Sequence, residues 1–240
     1  MTLAKTLSHD TLEKIQARFS LHEVLGADGG AYLPLHSPMG EVGALRLFTG
    51  DKVARMVYIG MSVAQFGLDS HMIFAFTPAD SPVPHFTLDS VMNAPDFAFH
   101  LDLIPRLDLG ANLEYLLKAF SPLDALYEEA SGIEGLRPAR LAPTQYAIMS
   151  AWMLAYRANE SAFTAIQAPV NKYLEHWFSL VDDGLGEFAH HAHLAERDRA
   201  NRHAIFNPQI DKVWAQVERL VGAETGERMR AILRTQEREA

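Results

Sequence analysis

Asp102 stands where a carboxylate is costly. It lies in the run Phe97 to Ile104, where Phe97, Phe99, Leu101 and Leu103 alternate with Ala98, His100, Asp102 and Ile104. A period of two predicts a strand with one apolar face and one face that carries a titratable pair. A carboxylate on an inner strand face is unfavourable unless it is paired, protonated or turned toward a polar ligand, and such groups are often functional. Asp102 could cap the following segment, pair with Arg106, or act as an acid. In the last case burial disfavours its charged form and lets it give up a proton near neutral pH. His71, His85 and His100 fall in the same strand-rich region. A histidine beside a carboxylate makes a proton relay, although each ring taken alone also reads as a satisfied core or edge histidine.

Other chemistries are weakly supported or excluded. The chain has no cysteine, which removes disulfides, thiolate nucleophiles and cysteine-held metals and clusters. Among eleven histidines, His190-His191-Ala192-His193 suggests a metal site. On a helix, however, only His190 and His193 share a face, and no HExxH pattern accompanies them. Surface histidines on a charged helix are the plainer reading. No serine sits in a nucleophile elbow, and no glycine-rich phosphate loop follows a predicted strand.

The elements that must position Asp102 follow from patterning. Residues 1–25 read as an amphipathic helix, with Leu12, Ile15 and Phe19 at helical spacing and Asp10 as its cap. Residues 31–157 are mainly short apolar segments broken by turns, which predicts an antiparallel meander. Tyr146 to Arg157 fits helix or buried strand by periodicity alone. Residues 160–238 are mainly helical: Pro169, Val170, Tyr173, Leu174, Trp177, Phe178 and Val181 form one stripe closed by Gly184. Asn207-Pro208 reads as a helix start, followed by Ile210, Val213, Trp214, Val217 and Val221 up to Gly222. The expected architecture is one domain of 240 residues, an α/β (α+β) fold with a central antiparallel sheet flanked by helices. A net charge of −9 disfavours nucleic acid or an anionic membrane as the main partner. The absence of a signal-like start or a long apolar run predicts a cytoplasmic protein.

The stretch Leu68 to Pro105 resembles the ferredoxin-dependent bilin reductases, on Leu68-Asp69, Phe76, Pro84, Phe86, Asp89, Val91, Asp102-Leu103 and Pro105. Ser150 to Arg157 resembles a late strand of that family, which favours strand there, and the helical C-terminal part follows the same layout, so the likeness covers roughly residues 30 to 235. It implies an α/β/α sandwich holding a linear tetrapyrrole such as biliverdin between the sheet and the C-terminal helices. It further implies no tightly bound cofactor or metal, reduced ferredoxin as electron donor, and a radical mechanism with protons from acidic side chains. Asp102 falls on the family's central aspartate. A histidine used by some members falls on Met72, beside His71; a glutamate falls near Gly60; a second acid falls around Asn207-Pro208, and the next carboxylate is Asp211. The implied substrate-binding residues are His71, Met72, Phe86, His100, Arg157 and Asn207. Phe74, Phe76 and Phe99 would line the slot beside Phe86, and Arg106, Arg157 or Arg202 would reach propionates. The alternatives are a tetrapyrrole carrier or sensor on the same fold, and a haem or metal protein that uses the histidines.

Overall fold

The computed structural model describes residues 1–235; residues 236–238 of the predicted helical part lie outside them. Among the described residues nine strands form one antiparallel sheet: β1 (His22–Val24), β2 (Leu33–Ser37), β3 (Gly40–Thr49), β4 (Arg55–Val63), β5 (Leu68–Phe76), β6 (His85–Asn93), β7 (Asp96–Ile104), β8 (Leu136–Pro138) and β9 (Leu154–Ala158). The order is β1-β3-β4-β5-β6-β7-β9-β8, and β2 also pairs with β3. From β3 to β7 each strand lies beside its predecessor, as expected for connections too short to cross over. The helices are α1 (Leu3–Phe19), α2 (Leu113–Ala119), α3 (Asp124–Ser131), α4 (Pro143–Tyr146), α5 (Glu160–Ala165), α6 (Gln167–Asp183), α7 (Leu194–Ile205), α8 (Val213–Val221) and α9 (Ala223–Arg234).

The strand alternation divides the interior in two. Phe97, Phe99, Leu101 and Leu103 enter one core with Ile73, Ala75, Phe86 and Leu88, which α1 and α6 cover. Met72, Phe74, Phe76 and Ile104 enter the other, with Trp214 and Val217 of α8 and Met229 and Ile232 of α9. The architecture is therefore the expected sheet between two helical layers. The stripe on α6 is buried as predicted, and Gly184 ends that helix in the left-handed region (φ 78°) with its N–H on Leu180 O.

Three local expectations change. α1 is capped by Thr2, whose Oγ1 accepts from Lys5 N, and Asp10 sits in mid-helix. Of the stretch Tyr146 to Arg157, only Leu154–Ala158 is strand. Ser150 donates both its N–H and its hydroxyl to Asp102, so the backbone around it turns and cannot join the ladder. Asn207-Pro208 begins no helix. Asn207 Oδ1 closes a local turn on Gln209 N (2.9 Å), and α8 starts six residues later, where Asp211 Oδ1 accepts from Val213 N (3.0 Å).

Candidate functional site

Register places the polar residues in rows. Across β5, β6 and β7, Met72, Asp89 and His100 are direct partners, as are Phe74, Thr87 and Asp102. Direct partners point to the same face, here the face that α8 covers. The result is a polar strip on the sheet under an apolar roof of Ile205, Phe206, Val213 and Trp214.

Asp102 lies beside Thr87 on the same sheet face with 0% of its surface exposed, behind the residues that line the cavity rather than among them. Ser150 N donates to Oδ2 at 3.0 Å and Ser150 Oγ to Oδ1. Burial pushes the carboxyl up to about 6, against the lowering influence of His100 and of the Ser150 hydrogen bonds. His100 moves upward as well. Burial is the largest influence and opposes its charged form, but Asp89, with Oδ2 3.6 Å from His100 Nδ1, together with the charges of Asp102 and Asp211, outweighs it. Asp211, brought in by the turn before α8, is raised by burial and by the charge of Asp89. The site therefore gathers three carboxylates around one imidazole, and Asp102, Asp211 and His100 are all displaced toward neutral pH.

Thr87 Oγ1, Asp89 Oδ1 and His100 Nε2 are each buried without a hydrogen-bond partner among the described residues. All three residues line the same cavity. Buried polar atoms are almost always satisfied, so three orphans in one place indicate a polar ligand or water. The cavity has a volume of about 40 Å³ and adjoins a mainly apolar groove of about 310 Å³ beneath α8. Met72 and Val213 line both spaces, and Met61, Leu68, Val91, Val217 and Leu220 line the groove.

The structure brings Asp102, His100, Met72 and Phe74 together. It separates others by strand parity. His71 faces α1, where its Nδ1 lies 2.7 Å from Tyr58 Oη and its Nε2 3.0 Å from Asp69 Oδ1. Phe86 and Phe99 enter the α1–α6 core, Phe86 against Trp177 and Phe99 against Tyr156. Phe76 shares the site face but packs on His85 and Phe206 beside the cavity. Arg157 is exposed on β9 opposite Ala98, and Asn207 is held in its own turn. Neither lines the cavity.

Arg106 and Arg202 are buried ligands of Asp198. Asp102 therefore does not pair with Arg106. His85 belongs to the same cluster: its Nδ1 accepts from Thr77 N (3.1 Å) and its Nε2 donates to Asp198 Oδ1 (2.7 Å). Burial, helped by Arg106, pushes this ring down to about 3, which keeps it neutral. His190 and His191 lie in a turn before α7 rather than on a helix, and His193 pairs locally with Glu196 (2.9 Å). Among the described residues no three His, Cys, Asp or Glu side chains are placed to hold a metal ion. Asp89, Asp211, Thr87 and Ser150 were not legible as site residues. Asp89 carried a signal, since it stands on a strand with the parity of Thr87 and His85.

No family model and no curated protein sequence matches this chain. Among solved structures, the chain is similar to phytochromobilin synthase from tomato, determined in complex with biliverdin. The TM-score is 0.78 at 16% identity, over 98% of this chain and 85% of that one. The likeness establishes a shared fold. Among the described residues no helix is long and apolar enough to cross a membrane.

Proposed function

We propose that this chain binds a linear tetrapyrrole between the sheet and α8 and reduces it with electrons from ferredoxin. The observation that carries the reading is the fully buried Asp102, raised to about 6 beside His100 and three unpartnered polar atoms. The fold shared with a biliverdin-bound enzyme gives it a substrate class.

A bilin is a long conjugated system with a polar inner edge of pyrrole nitrogens and terminal lactam oxygens. It needs an apolar slot and a strip of donors and acceptors, which Met72, Phe74 and Trp214 and the polar side chains of Thr87, Asp89 and His100 offer. Ligand pockets of this kind span roughly 300–1,000 Å³. The polar cavity alone is too small, and the adjoining groove supplies the room once Met72 and Val213 part. Reduction of one double bond takes two electrons and two protons. The electrons come singly from the iron–sulfur partner, and the protons from groups with displaced acidity. At pH 7 about one Asp102 in ten carries its proton, and His100, flanked by Asp89, Asp102 and Asp211, is the group suited to replenish it. We place this chemistry in the cytoplasm.

The test is an anaerobic time course with biliverdin and reduced ferredoxin, in wild type and Asp102→Asn. Ferredoxin-dependent loss of the biliverdin band in wild type alone is the expected result. Binding without turnover in both would replace the reductase by a carrier or sensor.

A further inference from the structure

A second cavity of about 520 Å³ opens between α7 and α9, away from the polar strip. It exists because the facing positions Ala195 and Ala231 are small, and longer side chains surround the gap they leave. These side chains are mainly cationic. Arg199, Arg202 and His203 come from one face of α7, at helical spacing, and Arg234 from the end of α9.

The carboxylates nearby are already engaged. Asp198 holds His85, Arg106 and Arg202, and Glu227 holds Arg230 and Arg234, with Glu218 on Arg230 as well. Among the described residues Arg199, Arg202 and Arg234 line the cleft with Asp198 and Glu227, and Arg106, Arg230 and Glu218 stand behind them, a local positive surplus on a chain of net charge −9. Two of the guanidiniums that line the cleft are fixed in place by their own partners, Arg202 by Asp198 and Leu233 O and Arg234 by Glu227 and Phe206 O. Arg202 is 2% exposed and stacks on Phe76, and among the described residues its Nε and that of Arg234 are buried without a hydrogen-bond partner. Arg199 is exposed and makes no ion pair with a described carboxylate.

We propose that this cleft binds a small oxyanion of the carboxylate or phosphate class, at a site separate from the tetrapyrrole pocket. Planar guanidiniums held in fixed positions around a cleft, with the exposed Arg199 at its edge, are the recognition chemistry for such groups. The inference does not rest on the reductase reading and stands or falls without it. Phe206 links the two places physically. Its ring lines the polar cavity while its carbonyl accepts from Arg234 Nη2 at 2.8 Å.

The experiment is calorimetric titration of the full chain with inorganic pyrophosphate, inorganic phosphate and citrate, one at a time. One-to-one binding of at least one anion is expected, weakened about tenfold or more by Arg199→Glu and less by Arg199→Lys, which keeps the charge but not the planar fork. Arg199 is exposed and makes no ion pair among the described residues, so both variants should melt with wild type, which separates a binding loss from a folding loss. No binding of any of the three at millimolar concentration overturns the proposal, as does equal binding by Arg199→Glu. The isotherm is expected to be unchanged with biliverdin present. Displacement by biliverdin would overturn the separateness of the site and assign the cleft to the bilin's own propionates.

Discussion

Asp102→Asn tests whether the carboxylate is held against its own solvation. Asp102 moves from its ordinary 3.8 to about 6 on folding, with burial as the leading cause. Below 3.8 the carboxyl is protonated in both states and costs nothing; as pH rises through about 6 the folded state must ionise a group that the unfolded chain ionises more easily. Each unit of difference is about 1.4 kcal/mol, so the penalty approaches about 3 kcal/mol at pH 7.5, and about half of it is already present at pH 5. Asparagine keeps an acceptor for Ser150 and removes the charge. The stability of Asp102→Asn relative to wild type should therefore rise by about 1.5 kcal/mol between pH 5 and pH 7.5. Urea denaturation of both proteins at the two pH values measures this, and the other titrating groups largely cancel in the comparison. His100 also senses the lost charge, so its ring should titrate lower in the variant by proton NMR. A stability difference that is flat with pH, or that shifts against the variant at pH 7.5, would refute the claim that burial governs this carboxyl.

His100→Gln removes the cation that lowers Asp102, so Asp102 should titrate above about 6 by carbon-detected NMR, and bilin turnover should fall about 10²-fold or more. Ser150→Ala leaves one Asp102 oxygen without its hydroxyl donor; a loss of about 1–3 kcal/mol in urea melts and an upward move of Asp102 are expected. Asp198→Ala strands His85, Arg106 and Arg202 in the interior and should cost about 3–5 kcal/mol. These partners hold the Asp198 carboxyl well below its usual range despite burial, so its contribution is present at neutral pH and disappears only as pH falls through that depressed value. Thermal melts from pH 7 down to pH 3 should show the gap between wild type and Asp198→Ala persisting over most of that range.

Much of the framework was legible because it rests on local periodicity. Alternation along Phe97 to Ile104 separates two cores and puts His100 and Asp102 on one face, as the structure has it. The same parity rule, applied to β5, would have removed His71: Met72 faces the cavity, so its neighbour must face α1. Phe86 fails likewise, being one residue out of step with Thr87. What periodicity cannot reach is register between distant segments. Nothing local to Ser150 marks it as the donor to a carboxylate 48 positions earlier, and that contact decides where β9 begins. Asp211 was hidden by a similar effect, because Asn207-Pro208 carries the composition of a helix start while its side chain closes a turn instead.

In the proposed function a tetrapyrrole in this pocket shares a proton with Asp102. The most direct measurement is the absorption spectrum of biliverdin bound to wild type and to Asp102→Asn, titrated from pH 5 to pH 8. A red-shifted band of protonated bilin should grow toward low pH in wild type and be absent or displaced in the variant. An unperturbed biliverdin spectrum in wild type, or identical titrations in the two proteins, would contradict it.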